Sequence, residues 1–340
     1  QNVIRRRQGR RDRHSRKESS AQPSEHAALL WLIIQAGNHL TRTFALRHSV
    51  SLLKCGLPRR YTLAGLWFPL IVAKMGTMSD FESGLSALFT KVFGENTALE
   101  SHKRLSGGAS QETWALSGSG HEAILRRAPG GTSAARSSAA IGLPAEAALI
   151  EAAETEGVPV PKVLHVLTDT DGLGDGFLMS RVHGETIARP ILRNDEFAQA
   201  RTALPAQCGQ ALAAIHAIPT RGLPDTLQIS GGLDQIAQYE TIYRSFDVPR
   251  PVFELALQWL KTNAPDPLDP VLVHGDFRLR NLMVDVTGLT SVLDWELAHL
   301  GDPREDLAWI CVNSWRFGQS QNRVGGFGQL EDMLTAYNAA

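Results

Sequence analysis

Four polar side chains between positions 274 and 294 could carry chemistry together: His274, Asp276, Asn281 and Asp294. They lie in VLVHGDFRLRNLMVDVTGLTSVLDWE, residues 271–296. An amide oxygen beside a carboxylate, with a second carboxylate nearby, suits Mg2+, which takes few protein oxygens and keeps waters and substrate phosphates. Asp276 precedes Asn281 by five positions, on a loop between apolar runs, where it could accept a proton from a reacting hydroxyl. Two rival readings exist. One makes these residues polar caps on buried strands. The other makes His274, Asp276 and Asp294 the core of a metal-dependent hydrolase, which would want further closely spaced histidines that this sequence lacks.

The chain must fold back to bring these groups together. Val271-Leu272-Val273 reads as a short buried strand, residues 281–284 as a second, and Thr287-Gly288 as the turn after it. Residues 291–293 form a third strand that returns Asp294 to the side of Asn281. Upstream, residues 80–93 show a helix-period stripe of Leu85, Leu88, Phe89, Val92 and Phe93. Residues 100–105, 113–117 and 121–127 read as strands, with a glycine-rich loop after the first. Gly107 and Gly108 would let backbone N–H groups approach nucleotide phosphates, and Ser110 could add a hydroxyl. Alone, such a loop is more commonly a plain hairpin loop; its place upstream of the acidic stretch favours the phosphate reading. A helix over 144–156 and paired strands over 163–167 and 177–180 follow. Residues 198–218 then form an amphipathic helix that Pro205 should kink or restart, and 233–246 and 251–262 form two more. Tyr239, Tyr243, Phe253 and Trp259 are spaced for core packing in these last two helices. Asp302 and Pro303 should cap and start a later helix.

H-x-D-x4-N, with an aspartate 13 positions further on, resembles the aminoglycoside-phosphotransferase-like kinase family. LVHGDFRLRNLM and VLDWELAHLGDPREDLAW resemble the branch associated with acyl-CoA dehydrogenases. The likeness covers roughly residues 79–340. It implies an α+β, two-lobed protein-kinase-like fold: a small antiparallel-sheet N-lobe over 79–180 and a mainly helical C-lobe over 181–340, with the catalytic loop at 271–296. It implies Asp276 as catalytic base, and Asn281 and Asp294 on Mg2+. Arg126 would contact ATP phosphates and pair with Glu146, with Arg127 the rival by one step of strand register. The backbone at Ser180 and Val182 would meet the adenine. His274 and Asp306 take supporting places, and His216 matches a structural histidine at a helix end. The implied activity is transfer of the γ-phosphate of ATP to a hydroxyl of a small molecule. A hydroxyacyl-CoA or related hydroxy metabolite is favoured over an aminoglycoside, with a functional association with an acyl-CoA dehydrogenase. No activation-segment-like insertion follows Asp294, which argues against a protein acceptor. The alternative is a nucleotide-binding pseudokinase with a regulatory role. The chain ends at TAYNAA, short of helices that close the acceptor site in the resembling proteins, so the last helices are expected to expose an apolar face.

Composition sets the remaining bounds. The 340 residues suffice for two lobes, and the 43% hydrophobic share is that of a globular protein. Cys55, Cys208 and Cys311 lack metal-ligand spacing and fit a reducing, cytoplasmic setting. A net charge of −1 hides an asymmetry: residues 1–74 carry 14 Lys+Arg and 3 Asp+Glu, hence +11, and the rest carry −12. Residues 1–78 therefore form a distinct basic extension. It reads first as upstream sequence carried by an over-long gene model, since Met75 and Met78 each precede ordinary-looking protein. A disordered tail and a targeting or nucleic-acid-binding arm are the alternatives. Its apolar runs, 27–36 and 63–73, are too short to span a bilayer as helices, so no membrane partner is expected; with the upstream-sequence reading preferred, no nucleic-acid partner is expected either.

Overall fold

The computed structural model describes residues 78–105, 111–131 and 140–340. The basic extension and the loop tip with Gly107, Gly108 and Ser110 lie outside the described residues. Helix α1 (Met78–Phe93) precedes strands β1 (Ser101–Arg104), β2 (Glu112–Gly118) and β3 (His121–Arg127), helix α2 (Leu143–Thr155), and strands β4 (Val163–Val166) and β5 (Gly176–Ser180). The strands form one antiparallel sheet in the order β1-β2-β3-β5-β4. A lone helix of this length is marginal in water. Docking holds α1: Leu85, Leu88 and Phe89 are buried against Leu116, Leu125 and Leu178 on one sheet face, each worth roughly 1.5–3 kcal/mol.

The opposite sheet face joins a larger core. Ala128 and Phe177 meet Leu143, Ala147 and Ile150 of α2, and this cluster continues into the C-terminal part of the chain. There, α3 (Ala188–Arg193), α4 (Ala198–Ala217), β6 (Ile229–Ser230), α5 (Gly232–Ser245), α6 (Pro251–Asn263), β7 (Val271–Val273), β8 (Leu282–Val284), β9 (Leu289–Val292), β10 (His299–Gly301), α7 (Arg304–Trp309) and α8 (Leu330–Ala339) follow in order. β8 and β9 pair antiparallel, while β10 lies between β6 and β7. Tyr243 packs edge-on to Phe253, and Trp259 packs against the buried Ile236, Leu257 and Leu260, so these aromatics fill a small core. Among the described residues no helix is long and apolar enough to cross a membrane.

Three expectations shift. α4 runs through Pro205 from Ala198 instead of restarting there. α7 begins at Arg304, one residue later than expected, although Asp302 Oδ1 still accepts the Arg304 amide at 2.9 Å as a cap would. The apolar side of α8 is covered: Met333 is buried, and Leu330 and Tyr337 pack on the main core, because α4 offers that helix a docking face.

Candidate active site

Strand β3 and the β9–β10 connection meet through one arginine. The register pairs Arg126 with Phe177 of β5 and sends it to the face of Ile124 and Ala128, toward α2. Its Nε donates to Glu146 at 3.0 Å, and Nη2 reaches Asp294 Oδ1 at 2.5 Å and Glu296 Oε2 at 3.7 Å. Arg127 points to the other face, 3.1 Å from Glu112 and over the Phe81 ring. The register thus gives the pairing with Glu146 to Arg126. One guanidinium faces three carboxylates here. Burial works against its charge, but Glu146, Asp294 and Glu296 hold Arg126 above the ordinary arginine range. The Glu146 side chain is only 1% exposed. Burial pushes its carboxyl up to about 7 against the pull of Arg126, and the negative charges of Asp294 and Glu296 push it the same way.

The other end of the site is the loop after β7. Gly275 has φ 77°, and a Cβ there would lie 2.5 Å from Leu297 O, so only glycine fits this turn beside its neighbour. Buried Asp306 of α7 fastens the turn, accepting the His274 amide at 2.7 Å and the Gly275 amide at 3.0 Å. His274 is fully buried. Its Nδ1 accepts the Asp276 amide at 3.2 Å and its Nε2 donates to Leu293 O at 3.1 Å, which ties the loop to the chain entering Asp294. His274 is therefore a brace, with both ring nitrogens already engaged by backbone, and is no metal ligand of a hydrolase.

Asp276 is held on every side. Its Oδ1 accepts Trp309 Nε1 at 2.7 Å and Arg278 Nε at 2.8 Å; its Oδ2 accepts Arg278 Nη2 at 2.9 Å and Asn281 Nδ2 at 2.8 Å. Arg278 in turn stacks 4.3 Å over Trp315. Asn281 also donates to Asp276 O at 2.9 Å, so its amide nitrogen is spent and Oδ1 remains as an oxygen donor. Asn281 and Asp294 are joined through the backbone, where Leu293 N donates to Asn281 O at 2.7 Å. Asp294 itself takes a left-handed conformation (φ 67°, ψ 63°) that turns its carboxylate to Arg126. Among the described residues no three His, Cys, Asp or Glu side chains converge as a closed metal cage. A cation here would rely on Asn281 and Asp294 plus ligand oxygens, a donor set that fits Mg2+.

Ser180 ends β5 with its amide on Lys162 O (2.8 Å) and its hydroxyl accepting the Lys162 amide (2.9 Å); Val182 is half-buried just beyond. Arg278, Trp309, Trp315 and Glu296 are site neighbours that sequence reasoning did not single out. Arg278 lies two positions after Asp276, and that adjacency was the available signal. Gln111, just before β2, is 3% exposed and neither amide atom has a partner among the described residues.

Comparison with known proteins gives the family. Residues 101–339 match the model of the phosphotransferase enzyme family. Acyl-CoA dehydrogenase family member 10 of Mus musculus is 32% identical over 212 residues, which is 60% of this chain but 20% of that protein. The chain thus spans about a fifth of the length of that relative. The macrolide 2'-phosphotransferase MphH of Brachybacterium faecium has a TM-score of 0.51 at 18% identity, covering 76% of this chain and 82% of that one. The APH(2'')-IIa structure with streptomycin and ATP gives 0.53 at 17%, covering 77% and 82%. These likenesses carry the fold, which is α+β and two-lobed as in the kinase-like phosphotransferases. The chain, with its interlocked loop at Asp276 and its arginine clasp at Asp294, belongs to the phosphotransferase enzyme family.

Proposed function

We propose that the protein transfers the γ-phosphate of ATP to a hydroxyl of a small molecule, with Asp276 as the base. The observation that carries this is the pairing of Arg126 with Asp294 at one end of a short connection and of Asn281 with Asp276 at the other. Arg126 would meet the phosphates, Val182 the adenine, and the glycine-rich segment with Gly107, Gly108 and Ser110 would cover the phosphates. The amide of Ser180 is occupied by Lys162, so its part would be to hold the strand end.

Asn281 Oδ1 and Asp294 would hold Mg2+. The three carboxylates around one guanidinium leave an acidic excess that suits a divalent cation. That cation, when bound, neutralises phosphate charge. The protein's own contribution is positioning. Arg126 and the backbone would fix the nucleotide, and Asp276 would orient the acceptor hydroxyl and take its proton late in a loose phosphoryl transfer. A carboxylate offers about four acceptor positions, and all four are filled here. One donor must therefore leave as the acceptor arrives. Trp309 and Asn281 are the more deeply buried, so one of the two bonds from the partly exposed Arg278 would be given up while the other keeps the carboxylate oriented.

The names of the relatives favour a hydroxyacyl-CoA or related hydroxy metabolite, acting with an acyl-CoA dehydrogenase, over an aminoglycoside. The filled Asp276 carboxylate also admits a second reading, a nucleotide-binding regulatory module. Nucleotide consumption against hydroxy acids, their CoA thioesters and aminoglycosides separates the two. Turnover with any hydroxylated acceptor supports the enzyme; Mg·ATP binding with no transfer across the panel supports the regulatory module.

A further inference from the structure

A second chain of hydrogen bonds reaches the catalytic loop from the far end of the described protein. Asp306 Oδ2, which accepts the His274 amide, also accepts His216 Nε2 at 3.2 Å. His216 Nδ1 lies 2.9 Å from the hydroxyl of Tyr337 on α8, and the two rings meet edge-on at 5.6 Å. The donors can be assigned in order. Asp306 takes the proton of Nε2, so in the neutral imidazole Nδ1 is bare and must accept. Tyr337 then donates, and burial holds its phenol above the usual tyrosine range, which keeps that proton in place. The hydrogen bonds converge on Asp306: Tyr337 donates to His216 and His216 to Asp306, while the backbone turn that carries Asp276 donates to the same carboxylate from the other side.

The approach of α8 is built into α4. Gly209 and His216 are seven residues apart, about two helical turns, and so share a face. A Cβ on Gly209 would lie 2.2 Å from Met333 O and 2.9 Å from Tyr337 N, so the backbones touch there. That close crossing sets Tyr337 over His216.

We infer that Tyr337 is a positioning residue for the catalytic loop, acting through His216 and Asp306. Asp306, an acceptor only, keeps the proton on Nε2; without the phenol the buried Nδ1 loses its donor, and the ring loses the bond that holds its orientation, which loosens Asp306 from the His274 and Gly275 amides. The role in transfer rests on the proposed phosphotransfer, whereas the Nδ1 hydrogen bond and the loop order do not.

The test uses the full chain with 15N-labelled histidine. The expected result is that His216 carries its proton on Nε2 in the wild type and in Tyr337→Phe, which keeps the ring and its packing, while the Nδ1 resonance moves as its hydrogen bond is lost. Amide exchange at Gly275 should rise by roughly tenfold, since the loop opens locally. With an acceptor in hand, Tyr337→Phe should lower kcat roughly tenfold at unchanged nucleotide KM. His216→Gln, which keeps a donor for Asp306, should retain more kcat than His216→Leu. A Tyr337→Phe variant with wild-type Gly275 exchange overturns the inference. If the wild type transfers no phosphate, the proposed function falls, and the exchange result still decides the positioning role.

Discussion

The two ends of the site differ in how complete they are. At the Asp276 end every acceptor position of the carboxylate has a donor, from Arg278, Trp309 and Asn281, and the loop beneath is fastened by Asp306. At the Asp294 end one guanidinium serves three carboxylates, one of them nearly inaccessible to water. The first end is satisfied as it stands and must give up a bond before it can act. The second carries surplus negative charge and gains when a cation arrives. On the proposed function, the difference would give the ends their parts: the phosphate and metal side would attract, and the acceptor side would be opened by its substrate.

Removing the shared cation should have the largest effect. Arg126→Met leaves Glu146 buried without its partner, which typically costs roughly 3–5 kcal/mol. Thermal denaturation should show a loss of that order, and adding Glu146→Leu should recover most of it. If Arg126→Met alone melts like the wild type, the cluster is not held by this charge.

A pH effect should appear behind the Asp276 end. His299 faces Glu305 at 3.2 Å. Burial pushes its imidazole down, but the Glu305 hydrogen bond and charge outweigh this and raise it to about 9 from 6.5. A raised histidine lends stability that is full below 6.5 and lost as pH climbs through about 9. The loss should be on the order of 3 kcal/mol, read as a falling Tm across that window. His299→Gln should flatten the profile, and a variant whose Tm still falls the same way removes His299 as the cause.

The smallest effect sharpens the contrast. Arg278→Gln should lower kcat by about tenfold, ~1.4 kcal/mol, because the fork that orients Asp276 is gone. Nucleotide KM should hold, since Arg278 serves the other end. A rise in nucleotide KM with kcat unchanged would place Arg278 on the phosphates instead.

What the sequence revealed and what it hid divide along local and long-range lines. β3 falls on its expected residues, and α1, α2, α5 and α6 lie within two of theirs, because apolar periodicity and helix starts are local signals. Asp276, Asn281 and Asp294 were legible from their spacing in one continuous stretch. The strand pairing of β6 with β10 was not, since the residues are some seventy positions apart and each strand is very short. Trp309 reaches Asp276 across 33 positions, and Tyr337 reaches His216 across 121. The expected exposed face on the last helix failed for the same reason: nothing local to α8 announces that Gly209 makes room for it.

The central claim is that Asp276 accepts the acceptor's proton while other groups hold the nucleotide. Asp276→Asn tests it most directly, with phosphoryl transfer and nucleotide affinity measured on the same protein. The amide keeps the shape of the side chain but cannot take the proton. The account predicts unchanged nucleotide affinity and transfer slowed by ~10²–10⁴. Transfer at the wild-type rate would show that Asp276 is not the base.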